Sequence, residues 1–198
     1  MEITKRIKKL DNFYKVYDKE KKFKKIIITN EEHQLTEEDW LDGVSCFVIN
    51  EKGEVLIEKR VNKGLTPGKL DLCSGHVDNE ETQTQAMIRE LKEELGIDLE
   101  EAMNVVKISE HPAELGFLSS NKKRNFFITF YCLKRASSEV EIQEEEIEKI
   151  VWLPLEETFA LIKSGRTKFP KDYNYDEIFQ KVREICTGRK INKCNTER

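Results

Sequence analysis

The chain has 198 residues, of which 36% are charged and 38% hydrophobic, a balance that suits one domain with a substantial core and a well-solvated surface. A net charge of −4 argues against general nucleic-acid binding, and no apolar run approaches the length of a membrane span. The five cysteines, at 46, 73, 132, 186 and 194, form no CxxC pair and no Cys/His metal spacing, which points to a reducing cytoplasm and no structural zinc.

Met1-Glu2-Ile3-Thr4-Lys5 begins nothing like a secretory signal. Residues 1–40 read as an N-terminal extension packed on a main domain of residues 41–186, with a mobile polar tail over 187–198. Ile3, Ile7 and Leu10 suit a short helical start. Residues 14–17 and 23–29 read as strands around a charged turn, and residues 36–39 as a capped turn leading to Trp40, expected in the core. Residues 44–49 and 54–60 form a β-hairpin pattern punctuated by Glu51-Lys52-Gly53. Residues 61–69, with Gly64, Pro67 and Gly68, form a loop, and residues 70–74 a short strand. Further on, residues 105–111 and 125–133 read as strands, with 113–124 a loop suited to setting specificity. His111, just before Pro112, reads as a structural strand-end residue. Phe126, Phe127, Phe130 and Tyr131 exceed what an alternating strand needs; most belong to a core, and one or two could stack on a ring. Cys46 and Cys132 fall inside apolar runs, where a thiol behaves as a small hydrophobe. After the acidic run 140–148 come a strand over 150–154 and helices over 155–164 and 176–186. Strands interleaved with helices imply an α/β fold with a mixed sheet.

The chemistry gathers between Gly75 and Ile97. At 100° per residue, Thr84, Met87, Ile88, Leu91 and Leu95 share one helical stripe, while Glu90, Glu93 and Glu94 gather beside it. Like charges four apart weaken an isolated helix, and a hard divalent cation reverses that balance by taking carboxylate oxygens as ligands. The spacing is Gly75, five residues, Glu81, seven residues, then Arg89-Glu90-Leu91-x-Glu93-Glu94-x-Gly96-Ile97.

At these nine constrained positions the sequence resembles the Nudix signature. The resemblance implies a Nudix α/β/α sandwich and hydrolysis of a diphosphate bearing a group X. The substrate would be a nucleoside diphosphate derivative or a related organic diphosphate. It implies Mg²⁺, or Mn²⁺ in its place, held by Glu90, Glu93 and Glu94 with the Gly75 carbonyl. Arg89 would steady a glutamate from four residues before Glu93. Arg60, at a strand end, and His76 would contact substrate. The general base would be Glu94, or Glu145 or Glu146 from the acidic run. The implied partner is a small molecule rather than nucleic acid or membrane, and a homodimer is compatible with the family.

Two rivals stand beside this reading. Gly75-His76 and the N-terminal extension are similar to the isopentenyl diphosphate isomerases, where the histidine is a metal ligand. Those enzymes place a cysteine directly before Gly-His, whereas here Ser74 does so, and they lack the full run from Arg89 to Glu94. A non-catalytic Nudix-fold binding module would be expected to lose motif glutamates, and none is lost here.

Overall fold

The structure, a computed structural model, describes residues 12–29, 34–62, 66–78, 80–109, 111–119 and 122–188. The helical start at Ile3, Ile7 and Leu10, Gly64 of the 61–69 loop and the tail beyond residue 188 lie outside them. The strands are β1 (Phe13–Tyr17), β2 (Phe23–Ile28), β3 (Trp40–Ile49), β4 (Glu54–Arg60), β5 (Leu70–Asp71), β6 (Cys73–His76), β7 (Val106–Lys107), β8 (Ala113–Ser119), β9 (Lys122–Lys134) and β10 (Ile147–Pro154). The helices are α1 (Gln83–Leu95), α2 (Leu99–Ala102), α3 (Leu155–Lys163) and α4 (Asp176–Cys186).

All ten strands join one mixed sheet organised on β3. Along its whole length β3 pairs with β9 in parallel, from Trp40↔Asn125 to Ile49↔Lys134. Its other edge is shared end to end by β1 at Leu41, β6 from Gly43 to Cys46 and β4 at Ile49. The expected β3–β4 hairpin therefore closes at a single pair, Ile49↔Val55, before β4 leaves to pair with β10. The vacated edge receives β6, and this places Gly75 opposite Val44 in mid-sheet.

Both faces of the sheet are covered, which is why β3 and β9 do not alternate in polarity. One face packs Phe47, Ile49, Val55, Ile57 and Phe130 against Phe159, Ile162, Phe179 and Val182 of α3 and α4. The other packs Val44, Cys46, Val48, Leu56 and Tyr131 against Met87, Leu91 and Leu95 of α1. Each of these three α1 side chains contributes about 1.5–3 kcal/mol by leaving water. The layers make the α/β/α sandwich that the sequence implies. No described helix is long and apolar enough to cross a membrane.

Several expectations change. Residues 113–124 are not a loop: β8 and the start of β9 form a hairpin, with Phe117 buried in it. The strand expected over 105–111 shrinks to Val106–Lys107, because β8 takes the edge of β9 beyond that point, and His111 lies exposed in a bend. Trp40 is only half-buried, at the start of β3, with its ring 4.7 Å from that of Phe127. In α1 the buried arc is rotated from the expected stripe toward Ala86 and Glu94, leaving Thr84 exposed with its hydroxyl 3.1 Å from Tyr131 Oη.

Helix α1 starts on a capping box: Thr82 Oγ1 accepts from Gln85 N at 3.2 Å, and Gln85 Oε1 accepts from Thr82 N at 2.9 Å. It ends at Gly96, whose φ of 62° is left-handed. A β-carbon there would also stand 2.8 Å from Glu141 Cβ. Gly96→Ala is expected to lower stability by about 1–3 kcal/mol, measured as a shift in the urea midpoint with the slope unchanged.

Candidate active site

Gly75 sets the geometry. A β-carbon at this position would lie 1.8 Å from Glu90 Oε1, so glycine leaves room for the Glu90 carboxylate against β6. Glu94, one turn on, lies in the interior, where it is 2% exposed and accepts from Ser74 N at 3.1 Å. Glu90 stays near the surface of the same face, and Glu93 points outward, about half of its side chain exposed.

Arg89 ties the motif together. Its guanidinium donates to Glu81 at 3.0 Å, Glu90 at 2.7 Å, Glu93 at 3.0 Å and the carbonyl of His76 at 3.0 Å. It steadies three glutamates rather than the one expected, and links α1 to the end of β6. Those carboxylates push its pKa further up, so it remains a cation throughout.

A cavity of about 370 Å³ opens beside these residues, within the range of small-molecule sites. Arg60, Gly75, His76, Arg89, Glu90 and Glu93 all line it, so six of the seven expected site residues meet there. Glu94 lies behind this lining. Glu146 also faces the cavity, 3.8 Å from Arg60, while Glu145 is exposed to solvent outside it. The remaining wall is apolar and aromatic, with Tyr14, Phe117, Phe126 and Ile128. The His76 ring belongs to that wall, stacked on Tyr14 at 4.7 Å and tilted against Phe126 at 5.2 Å. Burial, reinforced by Lys168, Arg60 and Arg89, pushes its pKa down to about 4 and keeps the imidazole neutral at pH 7.

Three charged residues around the site, Glu58, Asp71 and Lys168, were absent from the sequence reading. Glu58 follows Leu56 on the α1 face of β4, fully buried, with neither carboxylate oxygen hydrogen-bonded. Asp71, also fully buried, accepts from Ser74 Oγ at 3.1 Å. It also lies 3.5 Å from Arg60 and 2.7 Å from Lys168. Cys73 completes the group: donor atoms of Glu58, Cys73 and Glu94 lie within 4.8 Å of one another. A charged residue inside an apolar run, as in Val55-Leu56-Ile57-Glu58 and Leu70-Asp71-Leu72, was the available signal for the first two. Lys168 had none.

The donor set fits a divalent cation. Burial raises Glu90 to about 7 and, with the nearby Glu90 and Asp71 charges, Glu94 to about 8. Carboxylates so reluctant to ionise gain most from a bound cation. Glu90, Glu94 and the Gly75 carbonyl could hold it, with Glu93 at the rim.

A family model for the NUDIX domain matches residues 39–173. The chain belongs to the Nudix family. An uncharacterized Nudix hydrolase of Listeria innocua is 32% identical over 151 residues, covering 70% of this chain and 84% of that one. Nudix hydrolase 2 of Arabidopsis thaliana is 30% identical over 148 residues, covering 74% of this chain. The chain spans 48% of that relative's length, and 36% and 46% of two further Arabidopsis Nudix hydrolases. Among solved structures, a Deinococcus radiodurans protein superposes with a TM-score of 0.61 at 22% identity, covering 87% of this chain and 98% of the other. The fold is thus the Nudix fold, and β1, which supplies Tyr14 to the cavity, precedes the segment that the family model matches.

Two expectations follow for this Nudix site. Gly75→Ala should displace Glu90 and abolish divalent-cation binding, while the circular dichroism spectrum stays that of a folded protein. For the metal-free protein, Glu90 and Glu94 hold protons in the folded state well above their ordinary value of 4.5. Stability from these groups is therefore complete below about pH 4.5 and is lost as pH rises through about 7 to 8. His76, neutral in the folded state, opposes this slope only while the unfolded imidazole is still partly protonated, half so at its ordinary value of 6.5 and little above about pH 7.5, and the two glutamates outweigh it. Thermal melts should show Tm falling from pH 6.5 to 8 without metal, and a rise on adding Mg²⁺ that grows with pH.

Proposed function

We propose that this Nudix protein is a Mg²⁺-dependent pyrophosphohydrolase acting on a nucleoside diphosphate derivative or a related organic diphosphate, with Mn²⁺ as an alternative ion. The observation that carries the reading is the meeting of Glu90, Glu93, Arg60 and Gly75 of β6 on one cavity, with Glu94 buried directly behind. In this reading Glu90, Glu94 and the Gly75 carbonyl hold the ion, and Glu93 assists from the rim. When bound, the ion lowers the pKa of a water and neutralises phosphate oxygens.

The protein's own groups do the rest. Arg89 fixes the glutamates, so no reorganisation is needed when substrate arrives. Arg60, extending from β4 into the cavity, presents a guanidinium suited to phosphate oxygens. Glu146 is the base we assign: it is the carboxylate of the acidic run that faces the cavity, and it is free to move at its exposed tip. Glu94 is less suited to that task, being committed to Ser74 N behind β6. The aromatic wall opposite is suited to a planar group X, and the neutral His76 forms part of that surface.

The isomerase alternative finds less support. Ser74 precedes Gly75-His76 and its hydroxyl is spent on Asp71 and the Leu72 carbonyl, at 3.1 and 2.9 Å. Cys73 is fully buried on the α1 side of the sheet, away from the cavity lining. A small-molecule partner and a cytoplasmic setting accompany the hydrolase reading.

The test is diphosphate cleavage with Mg²⁺, read by chromatography of the products, over nucleoside triphosphates, nucleotide sugars, dinucleotide polyphosphates, ADP-ribose and isopentenyl diphosphate, with each product also checked for isomerisation. Glu94→Gln should abolish metal-dependent cleavage, and Glu146→Gln should lower kcat about 10²–10⁴-fold while metal binding persists. Isomerised product without diphosphate cleavage would replace this reading with the isomerase.

A further inference from the structure

Lys168 lies outside the family motif, in the connection between α3 and α4, yet its side chain reaches the cavity. The backbone that carries it is firmly placed. Thr167 bridges Leu70 in parallel, and Lys168 N donates to the Leu70 carbonyl at 2.9 Å. The next residue, Phe169, is buried against Phe130 and Tyr175, with ring centroids 5.8 and 6.4 Å away. The ammonium sits 5.3 Å from the Phe169 ring centroid and 5.9 Å from that of Phe117, close enough for both rings to favour the cation.

Its polar contacts are Asp71 at 2.7 Å and the Ser74 hydroxyl. Asp71 faces two cations at once, since Arg60 stands 3.5 Å from the same carboxylate oxygen. Arg60 is shared further, with Glu146 at 3.8 Å and Glu94 at 4.0 Å, whereas Asp71 is the carboxylate that holds Lys168. The two cations approach the cavity from different elements, Arg60 from the end of β4 and Lys168 from the α3–α4 connection. Lys168 also stands where the acidic floor meets the aromatic wall, against Phe117. A phosphate positioned over Glu90 with its organic group on that wall would pass this junction.

We infer that Lys168 is a second substrate-binding cation, which turns from Asp71 and Ser74 to a phosphate oxygen of the bound diphosphate and, with Arg60, brackets it between the acidic floor and the aromatic wall. The inference rests on the diphosphate reading of the site. Lysine suits the task because its flexible stem lets a point charge exchange one oxygen partner for another.

The informative substitution is Lys168→Gln, which can still donate to Asp71 and Ser74 but carries no charge. Calorimetry would measure binding of imidodiphosphate, an uncleavable diphosphate, with Mg²⁺ present and at two salt concentrations. KM and kcat would be measured on any substrate that the panel identifies. Lys168→Gln should weaken imidodiphosphate about 10–100-fold, flatten its salt dependence and raise KM in proportion, with kcat nearly unchanged. Lys168→Arg should retain most of the binding, and melting curves would show both variants folded. Unchanged imidodiphosphate binding in folded Lys168→Gln would overturn the inference, as would a loss of kcat alone. Lys168-dependent imidodiphosphate binding in a protein that cleaves nothing would support the inference and count against hydrolysis. Turnover with binding indifferent to Lys168 would do the reverse.

Discussion

Three carboxylates, Glu58, Asp71 and Glu94, are taken out of water within one region between the sheet and α1, and the surrounding structure answers that cost in three different ways. An isolated buried carboxylate is expensive, so the group must lose its charge or find a partner. Glu58 takes the first route: with no hydrogen bond at either oxygen, burial beside Glu94 and Asp71 holds its pKa far above the ordinary range. Asp71 takes the second, among Ser74, Arg60 and Lys168. Glu94 stands between them, with one backbone donor at 3.1 Å and Arg60 only at 4.0 Å. The least compensated motif carboxylate is therefore the one on which a divalent cation has most effect.

That arrangement depends on a topological detail. β4 leaves β3 after one residue pair, and β6 enters the vacated edge, so a strand ending in Ser74-Gly75-His76 runs beneath the helix that bears the glutamates. A side chain at position 75 would occupy the place of the Glu90 carboxylate, whereas glycine leaves that carboxylate room against β6, beside the buried Glu94. Arg89 then locks the approach by reaching back to the His76 carbonyl.

The parts of this protein legible in the sequence are those governed by local rules. The strand–turn punctuation around Gly53 and the motif spacing depend on residues a few positions apart. The first pointed to an α/β fold with a mixed sheet, and the resemblance carried by the second implied the α/β/α sandwich and a site list of which six residues share one cavity. What periodicity missed came from contacts between distant segments. The placing of the Glu90 carboxylate depends on a missing side chain on another strand, at Gly75. Residues 113–124 looked like a loop because Gly116 and the polar residues after Leu118 break the apolar pattern, although Gly116 pairs with Asn125 inside β8. Lys168 gives no local signal at all, since its role depends on Thr167 bridging Leu70 far earlier in the chain.

The division of the cavity carries the argument to specificity. Its acidic floor belongs to the family motif, but its wall is assembled from Tyr14 of β1, Phe117 of β8 and Phe126 of β9. β1 precedes the family-model match, so the family match alone does not account for this wall. His76 joins floor to wall: its carbonyl is held by Arg89 on the motif side, and its ring is stacked on Tyr14 and tilted against Phe126 on the other. Because burial keeps that ring uncharged, it cannot attract phosphate as a cation would, and it extends the aromatic surface instead. On the proposed reading, phosphate recognition falls to the flanking cations, Arg60 and Lys168, and the choice of X to a wall that lies largely outside the motif. On that reading the metal chemistry of the motif and the specificity occupy separate parts of the chain, and substitutions in the wall would alter one without disturbing the other.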